Sequence, residues 1–160
     1  MSKKFYQVVV FALILLLSFT SLYARDLSTT PISSFTYSIQ EDQVTIDSFD
    51  GYEENVIIPK YINGYPVTTI GASAFSWCGS LTSITIPDGV TTIGASAFYG
   101  CKSLTSITIP DGVTTIGADA FNGCESLTDI YCEASSKPSR WNNRLLGNCS
   151  AWLHWGYTGD

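Results

Sequence analysis

Apolar positions recur through the middle of the chain with a period of 23 residues. LTSITIPDGVTTIGASAFYGCKS runs from Leu81 to Ser103, and LTSITIPDGVTTIGADAFNGCES follows from Leu104 to Ser126. The copies differ only at Ser96/Asp119, Tyr99/Asn122 and Lys102/Glu125, small or polar exchanges suited to a solvated face. A period in the twenties marks a solenoid, in which each unit buries its apolar side against its neighbours instead of closing a core alone. Within a unit, Leu81, Ile84 and Ile86 form one apolar set, Val90 and Ile93 a second, and Ala97, Phe98 and Cys101 a third, so three faces are expected. Thr and Ile richness over 81–86 predicts a strand, Pro87-Asp88-Gly89 a turn, and Thr91 to Ile93 a second short strand. Ala95 to Tyr99 is expected as one helical turn closed by Gly100, which makes the unit an α/β repeat. The same places recur as Leu104, Ile107, Ile109, Val113, Ile116, Ala120, Phe121 and Cys124. Phe75, Phe98 and Phe121 should therefore stack as a buried ladder, with the middle ring, Phe98, costing most to lose.

Upstream the pattern changes to alternation. Phe35, Tyr37 and Ile39, then Val44 and Ile46 beyond the polar Gln40 to Gln43, predict a β-hairpin. Such a hairpin would cover the first apolar rung, as a solenoid requires, and Arg25 to Ser34 reads as a loose leader to it. Val56, Ile58 and Pro59 open a first unit with five extra residues before Val67, and the turn formers Asn63, Gly64 and Pro66 should bulge them outward. Downstream, Leu127 and Ile130 keep register, and the repeat is expected to end at Cys132. The tail with Trp141, Trp152, Trp155 and Tyr157 is expected as a C-terminal cap. Lys3 and Lys4, the apolar run Val8 to Leu17 and the small Ala24 have the form of a secretory signal peptide, and the run is too short for the roughly 20 residues of a membrane span. The expected divisions are 1–24 signal peptide, 25–55 leader and hairpin cap, 56–132 repeats and 133–160 C-terminal cap.

Charge and chemistry narrow the function. The formal net charge is −6, and removing the signal segment with Lys3 and Lys4 makes it −8. An acidic chain without a Lys/Arg cluster has no electrostatic footprint for nucleic acid or anionic membrane, so neither is expected as a partner. His154 is the only histidine, no catalytic triad can be assembled, and no enzyme activity or cofactor is expected. No C-x-x-C pair announces a zinc site. Cys78, Cys101 and Cys124 lie 23 apart at an apolar place and read as small buried groups kept reduced. Cys132 and Cys149 belong to the last strand and the tail, where a disulfide is the alternative to two free thiols. Asp88 and Asp111 resemble a calcium ladder but sit in Pro-Asp-Gly turns, which explain them. Asn148-Cys149-Ser150 is a glycosylation sequon that matters only in a eukaryotic source.

If Leu81, Ile84 and Ile86 point inward, Ser83 and Thr85 point out, joined by Ser106 and Thr108 and then by Asp129 and Tyr131. This strip is the candidate binding surface, since solenoid faces commonly bind partners and Tyr is enriched at interfaces. The competing reading is a solvated face whose Ser and Thr suit strand geometry. The unit itself resembles the BspA-type, or Treponema-type, leucine-rich repeat, L-x-x-I-x-I-P-x-x-V-x-x-I-G-x-x-A-F-x-G-C, with every lettered place filled in both complete units. The resemblance runs from about Val56 to Cys132. It implies a right-handed solenoid on secreted or surface proteins, chiefly bacterial, that adhere to host proteins or other cells. The sequence carries few repeats and no sorting motif, lipid-attachment cysteine or second domain, so the expectation is a minimal secreted member or the remnant of a longer protein. The leading expectation is a monomeric recognition module binding an extracellular protein or glycan. The alternatives are a scaffold without a specific ligand, favoured by the near-identity of the units, and an ice-binding array on Thr68-Thr69, Thr91-Thr92 and Thr114-Thr115.

Overall fold

A computed structural model describes residues 29–159; the signal segment read from the sequence lies outside the described residues. The chain forms a β-solenoid of about five turns. It begins with a hairpin of β1 (Phe35–Gln40) and β2 (Gln43–Phe49). Glu41 and Asp42 make its two-residue turn with φ of 50° and 58°, the left-handed pair that matches strand twist in such hairpins. β3 (Asn55–Ile57) follows, then the inserted residues fold into a second, small hairpin of β4 (Tyr61–Ile62) with the start of β5 (Tyr65–Ile70). Asn63 and Gly64 turn it at positive φ, and Ile62 is tucked fully into the core. The later turns supply β6 (Ser83–Thr85), β7 (Thr92–Ile93), β8 (Ser106–Ile109), β9 (Thr115–Ile116), β10 (Asp129–Cys132), β11 (Arg140–Trp141) and β12 (Trp152–Trp155).

These strands alternate between two faces. One face carries β3 beside β6, and β8, β10 and β12 in parallel register; the Thr105 N–H donates to Thr82 O at 3.5 Å across the seam between the two groups. The second face carries β1-β2-β5-β7-β9-β11. The hairpin therefore does more than cover the first rung. β2 is itself a rung, parallel to β5 with Val44 opposite Val67 and Ile46 opposite Ile70, and β1 pairs along its free edge. Nor is the leader loose throughout. Thr30 is buried, and it exchanges hydrogen bonds with Ile57, which donates its N–H to Thr30 Oγ1 at 2.8 Å and accepts Thr30 N–H at 3.0 Å.

The third side is turn rather than helix, contrary to the helical reading of Ala95 to Tyr99, and the only helical element among the described residues is a short 3₁₀ turn at Ile32–Ser34. The reason lies in where the amides point. Ser96, Phe98 and Gly100 donate to Ala118, Ala120 and Asn122 of the next rung at 2.8–2.9 Å, so these N–H groups are taken by the neighbouring turn and not by the carbonyls four residues back that a helix uses. Close stacking also explains the glycine after each second strand. A Cβ on Gly94 would lie 2.5 Å from Ala72 N, and one on Gly117 2.4 Å from Ala95 N.

Inside, the expected phenylalanine ladder is present and longer than the repeat suggested. Phe75 stacks on Phe98 with centroids 5.4 Å apart, and Phe98 on Phe121 at 5.5 Å. The ladder continues upward through Phe49, 5.3 Å from Phe75, and Phe35, 6.5 Å from Phe75. Phe75, with three ring neighbours, is its centre, so the expectation that Phe98 costs most gives way to Phe75.

The repeat also runs past Cys132. Trp141 sits opposite Ile116, and Asp129, Ile130, Tyr131 and Cys132 pair with Trp152, Leu153, His154 and Trp155. The boundary at 133 is thus corrected: most of the expected cap is a further solenoid turn, with two extra residues between Cys132 and Trp141. The new turn places Cys149 in the column of Cys101 and Cys124, since its N–H donates to Leu146 O as theirs do to Phe98 and Phe121 O. Cys132 instead faces the core beside Ile109 on another side of the rung. The two belong to different columns, so of the two alternatives the free thiols are found, and all five cysteines are unbridged. Cys101 and Cys124 are fully buried or nearly so, each thiol donating to a phenylalanine carbonyl of the previous rung at 3.1 Å; Cys78 is half-buried.

Candidate functional site

Strand parity places all six candidate residues on the outside of the first face. Ser83, Thr85 and Ser106 are exposed and Thr108, Asp129 and Tyr131 half-buried, while Ile84, Ile107 and Ile130 between them face the core. Register draws them into two parallel columns. One runs Asn55, Ser83, Ser106, Asp129, Trp152; the other runs Ile57, Thr85, Thr108, Tyr131, His154. Thr82, Thr105 and Thr128 flank these columns, with the Thr82 hydroxyl donating to the carbonyl of Glu54 at 2.9 Å. The centre of the face is thus a flat polar strip of hydroxyls held on rungs whose backbone is already satisfied.

Its two ends differ. At the C-terminal end Tyr131 stacks on His154 with centroids 5.0 Å apart, and Tyr157 leans on Tyr131 at 4.7 Å. Trp152 next to them is 76% exposed. Asp129 is held between Thr128, which donates its hydroxyl at 2.7 Å, and His154 Nε2 at 2.7 Å. The Thr128 bond first, and the His154 contact after it, keep this carboxyl below its ordinary pKa. At the N-terminal end lies a mainly apolar groove of about 590 Å³ beside Ile32, Ile57, Tyr61, Thr85 and Pro87, closed at its rim by the Lys60–Asp88 ion pair at 3.3 Å. Tyr61, offered by the inserted hairpin, is 62% exposed.

Sequence reasoning missed Asn55, Ile57, Tyr61, Trp152, His154 and Tyr157. The signal for the C-terminal group was present: Trp152-Leu153-His154-Trp155 stands 23 residues after Asp129-Ile130-Tyr131-Cys132, hidden because the two extra residues before Trp141 and the two fewer between Cys149 and Trp152 break the repeat in between. On the opposite face the paired threonines are less free than they looked. Thr69, Thr92 and Thr115 are half-buried, and Thr91 and Thr114 donate their hydroxyls to the carbonyls of Thr68 and Thr91 at 3.3 Å. Among the described residues no group of three or more His, Cys, Asp or Glu side chains is placed to hold a metal ion, and no helix is long and apolar enough to cross a membrane.

Comparison with known proteins agrees with this architecture. Residues 68–154 match the family model described as BspA type leucine-rich repeat region, in six copies, which carries the repeat across the corrected boundary. A leucine-rich repeat protein from Bacteroides capillosus superposes with a TM-score of 0.68 at 28% identity, covering 80% of this chain and 98% of its own. The leucine-rich repeat protein of T. pallidum gives 0.66 at 28% identity over 80% of this chain, which spans 65% of the treponemal one. A leucine-rich cell surface protein from Faecalibacterium prausnitzii gives 0.55 at 36% identity, over 66% of this chain and 34% of that protein. No curated protein matches the sequence.

Proposed function

We propose that this chain, which belongs to the BspA-type leucine-rich repeat family, is a secreted or cell-surface recognition module that adheres to an extracellular protein through the β3-β6-β8-β10-β12 face. The observation that carries this is the composition of that face: a flat run of Ser and Thr bounded by two clusters of exposed aromatic and apolar side chains. Interfaces draw their energy from a few aromatic anchors in a surround of weaker polar contacts, and Tyr61 with Ile57 at one end and Tyr131 with Trp152 at the other fit that division. The apolar groove gives one anchor a concavity, and the hydroxyl strip gives a surface that can exchange water for partner groups without leaving a charge unpaired. The cell-surface setting is supported by the description of the Faecalibacterium protein and by the signal-like first 24 residues.

The test is a variant carrying Thr85→Lys, Thr108→Lys and Tyr131→Ala. Thr85 and Thr108 point away from the core, where single changes usually shift stability by within about 0.5 kcal/mol, whereas Tyr131→Ala also gives up the ring contacts with His154 and Tyr157, each worth about 0.5–1.5 kcal/mol. The variant should remain cooperatively folded, with its unfolding midpoint lowered by no more than those contacts, and lose adhesion to immobilised extracellular matrix. A folded triple variant that adheres as well as the parent contradicts the proposal.

A further inference from the structure

We propose a second binding site, on the turn side of the solenoid and separate from the sheet face, that takes an uncharged hexopyranose chain in the groove beside Trp77. The starting observation is a residue in the wrong company. Trp77 occupies the place filled by Gly100 and Gly123 in the next two rungs, and all three share a left-handed backbone, with φ of 64°, 71° and 76°. That conformation is open to glycine and costly for a large side chain, and such outliers concentrate where a function holds them. Internal packing accounts for little of the indole. It rests over Gly100, where an added Cβ would come within 2.8 Å of the ring, and meets the Tyr99 ring edge-on at 5.2 Å, yet Trp77 remains 66% exposed. Tyr99 is in turn one of the three positions at which the two complete repeats differ, its counterpart being Asn122.

Beside Trp77 lies a groove of about 420 Å³ lined by Asp50, Tyr52, Ser76 and Ser80 among others, within the size range of small-ligand sites. Tyr52 on its rim is 92% exposed. Asp50 is held in place by hydroxyl donors, Thr36 at 3.0 Å to one oxygen and Ser48 at 3.2 Å to the other, which leaves carboxylate lone pairs to accept further bonds. Open aromatic surface next to a fixed carboxylate and two serine hydroxyls matches a pyranose ring, which offers a C–H face for an aromatic ring and a rim of hydroxyls for the polar groups. An apolar side chain would desolvate Asp50 without pairing it, which is costly.

Saturation-transfer NMR on the chain from Arg25 onward tests the site, with tetrasaccharides of β-1,4-glucose, β-1,4-N-acetylglucosamine and α-mannose and an oligolysine peptide as probes at millimolar concentration. Transfer to the ring C–H protons of at least one saccharide is expected for the parent and for Tyr131→Ala, which alters the other face. Trp77→Gly restores the residue of the neighbouring rungs, so it should unfold at or above the parent's midpoint while abolishing transfer; Trp77→Asn, also tolerant of positive φ, should do the same. Transfer to none of the saccharides, transfer to the peptide alone, persistence in folded Trp77→Gly, or loss in Tyr131→Ala each overturns the proposal.

Discussion

Replacing single rings of the phenylalanine ladder by leucine separates packing that depends on position along the solenoid from simple burial. Phe75 and Phe121 are both fully buried, so a count of buried surface alone assigns Phe75→Leu and Phe121→Leu similar costs. The ring geometry distinguishes them. Phe75 has Phe35, Phe49 and Phe98 as neighbours, at 6.5, 5.3 and 5.4 Å, whereas Phe121 has Phe98 alone at 5.5 Å. Leucine retains most of the apolar volume, and Leu146 already fills this column in the last turn, so the dominant loss is the ring pairs, each worth about 0.5–1.5 kcal/mol beyond area. Phe75→Leu should then cost about 1.5–4.5 kcal/mol and Phe121→Leu about 0.5–1.5 kcal/mol. In urea, with a slope of about 1–3 kcal/mol per molar, the two midpoints should stand roughly 1 M apart. The slope must be unchanged for the comparison to hold, because loss of cooperativity in a repeat array changes it. Equal midpoints, or a lower one for Phe121→Leu, would refute the reasoning that the first ladder rings are its centre.

Trp141→Phe removes the indole N–H that donates to Val113 O at 3.0 Å in the core; leaving that carbonyl unpaired should cost about 1–3 kcal/mol in chemical denaturation, and no loss would show that water replaces the bond. In native protein a thiol reagent at pH 8 should reach the half-buried Cys78 and Cys149 first and Cys101, Cys124 and Cys132 only on unfolding, all slowly, since burial together with Asp50 pushes Cys78 up to about 11 and burial alone does the same for Cys132. An intact mass lacking two hydrogens would contradict the free thiols. Asp129 titrates below the ordinary carboxylate range, so the folded state binds that proton less readily than the unfolded chain. Its contribution is therefore present above about pH 4 and lost as pH falls below that through the depressed pKa. Carboxyl-carbon NMR should show the Asp129 pKa rising more in Thr128→Val than in His154→Phe, the Thr128 bond being the larger cause.

What the sequence made legible was whatever repeats. Strand parity, the inward Ile84, Ile107 and Ile130, the outward Ser83 to Tyr131 strip and the stacking of Phe75, Phe98 and Phe121 all follow from apolar spacing that two near-identical units state twice. The helical turn was misread because the Ala95 to Tyr99 composition suits a helix, while the decisive fact, that its amides donate to the next rung, is a relation between units that no single unit displays. The last turn was misread because its apolar places are filled by different residues, Trp141 for Ile and Leu146 for Phe, and because two inserted residues shift the count. That error carried the disulfide with it, since Cys149 belongs to the Cys124 column only once the extra turn is recognised. Phe49 and Phe35 escaped the ladder for a related reason: they sit in a hairpin whose alternation gives no sign that β2 doubles as a rung.

Hydroxyl-radical footprinting of the chain bound to solubilised extracellular matrix protein stripped of its glycans tests the sheet-face account most directly, because exposed aromatic side chains report each surface separately. Tyr61, Tyr131, Trp152 and His154 should be protected on binding, while Tyr52 and Trp77 on the turn side, 92% and 66% exposed in the free chain, keep their oxidation rates. Protection of Tyr52 and Trp77 with the sheet-face residues unchanged would contradict the account.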